Sequence, residues 1–168
     1  LSNFHATSKL SYGINSSFIT LIPKIDYPIG LSDFKPISLV GSLYKILSKV
    51  LAHRLKRVLP TVISETQSAF LGGRSVLDGV FIANEIVDGW KKSRKKCVII
   101  KLDFEKAYDS INWEFLVSML HNFGFGSKWV SWMKECITTT RLSVLVNGSP
   151  TEEFSPHRGL RQSDSLSP

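Results

Sequence analysis

Asp103 and Tyr108 stand close together in the run Lys101-Leu-Asp-Phe-Glu-Lys-Ala-Tyr-Asp-Ser-Ile-Asn-Trp113, with further carboxylates at Glu105 and Asp109. The apolar stretch Cys97-Val-Ile-Ile100 leads into it. That stretch reads as a short buried strand, because β-branched residues between polar flanks suit a covered, pleated surface. Asp103 then falls at or just past the end of a core strand. A carboxylate there is costly unless it is solvated, paired or bound to a cation. The arrangement suits a magnesium site that handles a phosphate-bearing substrate. The same aspartate also suits the plainer role of turn former or helix N-cap, so the surrounding chain has to decide.

The 168 residues are enough for one domain with a hydrophobic core, and a 43% hydrophobic content excludes disorder of the whole chain. A formal net charge of +7 favours a polyanionic partner. The charge is unevenly spread. Residues 34–64 contain no Asp or Glu, yet hold Lys35, Lys45, Lys49, Arg54, Lys56 and Arg57. A second cluster, Lys91, Lys92, Arg94, Lys95 and Lys96, closes the next helix. Both clusters suit a solvated face, the second also a helix C-terminus, and the acid-free segment equally suits nucleic-acid phosphates. Cys97 and Cys136 read as reduced core residues. The histidines lack zinc-ligand spacing. No signal peptide, transmembrane run or lipidation motif is visible, so no membrane partner is expected. The chain opens on Leu1, and Leu166-Ser-Pro168 reads as the start of an element, so a piece of a longer protein is expected.

The elements that position these residues are readable from periodicity. Residues 1–16 are rich in Ser and Asn and are expected to be a flexible segment. Residues 17–24 read as a strand stopped at Pro23, and residues 35–40 as a second extended segment. A helix follows over residues 42–59, ended by Pro60, with Leu43, Ile46, Leu47, Val50, Leu51, Leu55 and Val58 inward and a basic face opposite. Residues 67–74 form a turn-rich connector. A helix over 76–92 turns Val76, Val80, Phe81, Val87 and Trp90 inward. Asn112 caps a helix over 113–123, and another spans 127–138. Residues 141–147 alternate as a strand, Asn147-Gly148 turns, and 151–155 pair back. The fold class is α+β, with strands and helices mixed in one body.

Five motifs, in order, resemble the reverse transcriptases of non-LTR retrotransposons (long interspersed elements), especially those of plants. Ser32-Asp-Phe-Lys-Pro-Ile-Ser-Leu39 resembles a fingers motif that usually has Arg where Lys35 stands. Residues 44–55 resemble the basic fingers helix, and Gln67-Ser-Ala-Phe-Leu-Gly-Gly-Arg74 the next fingers motif. Residues 103–109 resemble palm motif A, and Arg158-Gly-Leu-Arg-Gln162 through Pro168 resembles motif B. The resemblance implies a right-hand polymerase fold, with a fingers-like region over 17–96 and a partial palm over 97–168. It stops before the Asp-Asp hairpin and thumb, since no Asp-Asp pair occurs in the chain.

The resemblance also implies roles. Asp103 and the backbone carbonyl of Phe104 would hold magnesium, two ions in a complete parent. Tyr108 would act as the steric gate against a ribose 2′-hydroxyl, or pack in the core. Gln162, Arg74 and Lys35 would meet the incoming nucleotide, with a salt bridge from Arg74 to Glu65 or Asp78 as the alternative. Asp109 suits a helix start and Glu105 the surface. Lys45, Lys49, Arg54, Lys56, Arg57, Arg158 and Arg161 would contact nucleic acid, the last two alternatively being solvent-exposed loop residues. The implied partners are an RNA template, a DNA primer and deoxynucleoside triphosphates, at nuclear DNA. Ser163 and Ser165 depart from the family's Gly and Pro. The expected activity is RNA-directed DNA polymerisation by a complete parent. The alternatives are a catalytically dead remnant that binds nucleic acid, and a cellular protein that mimics the motifs. Oligomeric state is not legible.

Overall fold

The computed structural model describes residues 1–69, 71–94, 96–104, 106–162 and 164–166. Phe70, Lys95, Glu105, Ser163, Ser167 and Pro168 lie outside them, and with them the surface role expected of Glu105 and the departure at Ser163. The chain divides into two compact units, Leu1–Ala52 with Lys106–Pro168, and His53–Glu105.

The first unit is built on a four-stranded mixed sheet. β1 (Ser16–Pro23) pairs antiparallel with β2 (Phe34–Val40), from Ser17 opposite Val40 to Pro23 opposite Phe34. The loop between them is closed by Asp33, whose carboxylate accepts the backbone N–H groups of Gly30 and Ile29, each at 3.0 Å. Those donors hold its pKa below the usual carboxylate value. On its other side β1 runs parallel to β3 (Arg141–Val146), which turns through Asn147 and Gly148 into β4 (Ser149–Pro150). Both turn residues have positive φ, 51° and 82°, as a tight Asn-Gly hairpin requires.

In chain order the helices are α1 (Ser2–Thr7), α2 (Ser42–Val62), α3 (Val76–Lys92), α4 (Ala107–Ser110), α5 (Trp113–Asn122) and α6 (Ser127–Thr138). Asn112 caps α5 as expected, its side chain accepting from the Phe115 N–H at 2.9 Å. The core of the first unit forms around α6. Phe4, Tyr44, Leu47, Leu51, Trp132 and Cys136 make one buried cluster, and Leu120, Val130 and Met133 a second. Each large apolar side chain buried there contributes about 1.5–3 kcal/mol.

Five expectations are corrected. Residues 1–16 are packed: Phe4 lies against Trp132, with ring centroids 6.0 Å apart, and Asn15 is buried. Helix α2 continues past Pro60 to Val62, because the Ile63 N–H donates to Leu59 and the Thr61 hydroxyl to Val58, carrying the last turn without the proline N–H. The buried face of α2 is Tyr44, Leu47, Ser48 and Leu51, whereas Leu43, Ile46, Val50 and Val58 are exposed. Tyr44 fixes this rotation, since its bulk and hydroxyl sit in the core. Likewise α3 buries none of its residues.

The fifth correction bears on the site. Residues 97–104 form no strand, and Val98, Ile99, Ile100, Leu102 and Phe104 are exposed, as is Cys97. A strand exists only where a neighbour takes its N–H and C=O groups, and β-branched content cannot replace that partner. Among the described residues nothing pairs with this run.

Candidate active site

Tyr108 and Ile111 meet the loop at Gly159 and Leu160, which resembles motif B, through backbone hydrogen bonds in the first unit. The Leu160 N–H donates to the Tyr108 carbonyl at 2.7 Å, and the Gly159 N–H to the Ile111 carbonyl at 2.8 Å. The Trp113 indole N–H donates to the Gly159 carbonyl at 2.7 Å. Gly159 has φ +80°, and a Cβ there would lie 2.8 Å from the Asp109 carbonyl oxygen and 2.9 Å from that of Tyr108. Only glycine permits this approach. Helix α4 is a single turn and carries Tyr108, which is 42% exposed.

Behind this junction lies a mainly apolar cavity of about 190 Å³, lined among others by Tyr44, Asp109, Trp113, Cys136, Arg158 and Gln162. Gln162 and Arg158 are exposed at the surface. Arg161 is not. Its guanidinium is buried, paired with Asp164 at 3.1 Å and stacked 4.3 Å from the Tyr44 ring centroid. It therefore occupies neither place expected of it, being neither solvent-exposed nor available at the surface. Burial raises the pKa of the Tyr44 phenol and pushes the Cys136 thiol up to about 12, so both stay neutral.

The remaining candidates are distributed. Lys35 is exposed on β2, and Lys45 and Lys49 are exposed on α2 within the first unit. Lys45 shares a small recess with Ser38, Asp164 and Ser165. Arg54, Lys56 and Arg57 are exposed on the α2 segment that belongs to the second unit. Arg74, also in the second unit, donates to the carbonyls of Ser64 (2.6 Å), Gln67 (2.8 Å) and Ile63 (3.3 Å). It ties together the segment that follows α2, rather than forming the bridge to Glu65 or Asp78 given as its alternative role. Asp103 and Phe104 are exposed in the second unit, while Tyr108 and Gln162 belong to the first.

Among the described residues no group of three or more His, Cys, Asp or Glu side chains could hold a metal ion. Asp103 with the Phe104 carbonyl is an incomplete ligand set for the hard, oxygen-hungry ions that phosphate chemistry uses. Sequence reasoning missed Asn15, Ser17, Tyr44 and Asp164, which together enclose Arg161. The one available signal was the opposite charge three residues after Arg161.

Residues 22–168 match the family described as reverse transcriptase (RNA-dependent DNA polymerase). The chain belongs to that family. It is 30% identical over 95% of its length to a Xenopus laevis protein named transposon TX1 uncharacterized 149 kDa protein. It is 29% identical over 95% of its length to the Drosophila melanogaster retrovirus-related Pol polyprotein from type-2 retrotransposable element R2DM. A third relative, the Pol polyprotein from type-1 retrotransposable element R2 of Popillia japonica, is 25% identical over 89%. One relative is named as a transposon protein and two as Pol polyproteins of retrotransposable elements, in line with the retrotransposon family that the motifs resemble. The chain spans 12%, 15% and 21% of their respective lengths. The mixed sheet and its helices agree with the α+β class. No described helix is long and apolar enough to cross a membrane.

Proposed function

We propose that this chain is the fingers and first palm portion of an RNA-directed DNA polymerase, working on an RNA template, a DNA primer and deoxynucleoside triphosphates within a longer parent. The observation that carries the reading is the backbone junction between Tyr108 and the Gly159–Leu160 pair. It joins the motif that resembles a sugar gate to the loop that resembles a nucleotide contact, inside a family-matched segment. Tyr108 then discriminates against a 2′-hydroxyl, and Gln162 meets the incoming nucleotide. The exposed Lys45, Lys49 and Arg158 supply phosphate contacts.

Asp103 would be one magnesium ligand, helped by the Phe104 carbonyl. The described residues do not complete a metal site, so no catalytic step is assigned to this chain alone. The unpaired apolar run at 97–104 supports a palm sheet completed by further residues of a parent, in a right-hand arrangement. The isolated chain is expected not to extend primers. The test is primer extension on an RNA template with magnesium and deoxynucleotides. Processive, template-directed extension by the purified 168-residue chain refutes the assignment of missing carboxylates.

A second reading, a remnant that binds nucleic acid without catalysis, is favoured by the serines at 163 and 165 where the family has Gly and Pro. Extension by the longer parent rejects it.

A further inference from the structure

We infer that Asn15 and Arg161 are a pair of positioning residues for the Gln162 loop, so that Arg161 serves nucleotide binding from inside the protein without touching phosphate. The inference deepens the polymerase reading and rests on it for the role of Gln162.

Arg161 is 9% exposed and Asn15 3%. Arg161 Nη1 donates to the Asn15 carbonyl at 3.3 Å and to the Ser17 hydroxyl at 3.2 Å. Its Nη2 donates to Asn15 Oδ1 and, at 3.1 Å, to Asp164 Oδ2. One face of the guanidinium is covered by Tyr44. A guanidinium has about five N–H donors in a fixed fork, so these bonds and the ring leave little of it for a phosphate. A buried cation also needs a partner. Asp164 provides it, and the second oxygen of Asp164 accepts the Leu166 N–H at 3.1 Å. Arg161 and Asp164 thus pin the loop on both sides of the exposed Gln162.

Asn15 ties that pinned loop to the scaffold. Its Nδ2 donates to the Cys136 carbonyl at 2.8 Å and the Thr139 hydroxyl at 2.9 Å, both at the C-terminal end of α6. One amide side chain therefore connects the last turn of α6 to the base of the loop. Asn15 precedes the family-matched residues 22–168. The anchor is supplied by the N-terminal strap, which the buried Glu135 holds by accepting the Leu10 N–H at 2.9 Å and Lys9 Nζ at 3.1 Å.

The test uses Asn15→Ala and Arg161→Lys, each in the 168-residue chain and in a longer parent that contains it. In the chain, amides of residues 160–162 and 164–166 should exchange with solvent about 10-fold faster in both variants, while α5 and β3 keep their rates. In the parent, KM for deoxynucleotide should rise about 10-fold with kcat within about 3-fold. Primer–template affinity and its salt dependence should not move. Arg161→Lys keeps the charge but loses the fork, so it separates the two roles. A primer–template affinity that falls in that variant, with a salt slope reduced by about 1, makes Arg161 a phosphate contact and overturns the inference. Unchanged loop exchange in Asn15→Ala overturns it whatever the parent does, and faster exchange with unchanged KM overturns the link to nucleotide. Should Arg161→Lys unfold the chain, seen as lost protection in α5 and β3, Asn15→Ala alone decides. An unaltered parent that fails to extend primers counts against the polymerase reading, and the exchange result then judges the clasp separately.

Discussion

Replacing Gly159 by alanine probes the junction between the two loops, and its cost can be built from the geometry. At φ +80° an L-residue carries about 1–2 kcal/mol of backbone strain. The added Cβ would also sit 2.8 Å and 2.9 Å from the carbonyl oxygens of Asp109 and Tyr108. Those are backbone atoms of α4 and cannot swing aside as a flexible side chain could. Relief requires the segments to part, which weakens the bonds from Leu160 to Tyr108 and from Gly159 to Ile111, each worth about 0.5–1.5 kcal/mol. The combined loss is about 2–5 kcal/mol. At about 2–4 °C per kcal/mol for a chain of this size, Tm should fall by about 4–20 °C. Gly124→Ala is the control, because Gly124 has the same φ of +80° with nothing within 4 Å of its virtual Cβ. It carries the strain alone, about 1–2 kcal/mol. Calorimetry on the two variants isolates the close approach, and the Trp113 emission reports the lost bond to the Gly159 carbonyl. Equal melting of the two variants, within about 1 °C, would falsify the tight junction.

Other outcomes follow from burial and charge. A thiol reagent at neutral pH should modify the exposed Cys97 at once and the buried Cys136 only on unfolding; equal rates would mean that the core around Tyr44 is open. Burial raises the pKa of Cys136 to about 12 and that of Tyr44 as well, so both favour the folded state while protonated. Stability is then full below the ordinary thiol pKa of 9.0 and is lost as pH rises towards 12. The slope is up to about 1.4 kcal/mol per pH unit for each titrating group. Urea midpoints that stay level above pH 9 contradict this. Replacing Lys45 and Lys49 by alanine should weaken single-stranded RNA binding and lower the slope of log affinity against log salt by about 1.4. An unaltered slope removes α2 from the nucleic-acid surface.

Much of the secondary structure was legible because it is local. The alternation Leu142, Val144, Val146 before Asn147-Gly148 specifies β3 and its turn, and Asn112 announces α5. What failed depends on partners distant in sequence. The run at 97–100 has strand composition, but its ladder needs a neighbour that periodicity cannot supply. The stripe of α2 was rotated because Tyr44 and Ser48, polar in composition, take the buried side. The residues 1–16 looked loose by composition, yet Phe4, Glu135 and Asn15 fasten them through contacts more than a hundred residues apart in sequence. At the site, motif order pointed to Tyr108 and Gln162, and the junction that links their segments is backbone-made. Arg161 is buried for a reason that no local pattern shows: a loop arginine reads as a surface charge until its buried partners are known. No sequence rule singles out Asn15.

The central claim is that Asp103 is a metal ligand of a polymerase whose nucleic-acid grip lies elsewhere. Asp103→Asn in a longer parent, assayed by primer extension on RNA beside primer–template affinity, addresses it most directly. Removing one ligand oxygen's charge should lower extension by about 1,000-fold or more while affinity stays unchanged. Extension at the unaltered rate, or loss of nucleic-acid binding together with activity, would contradict the account.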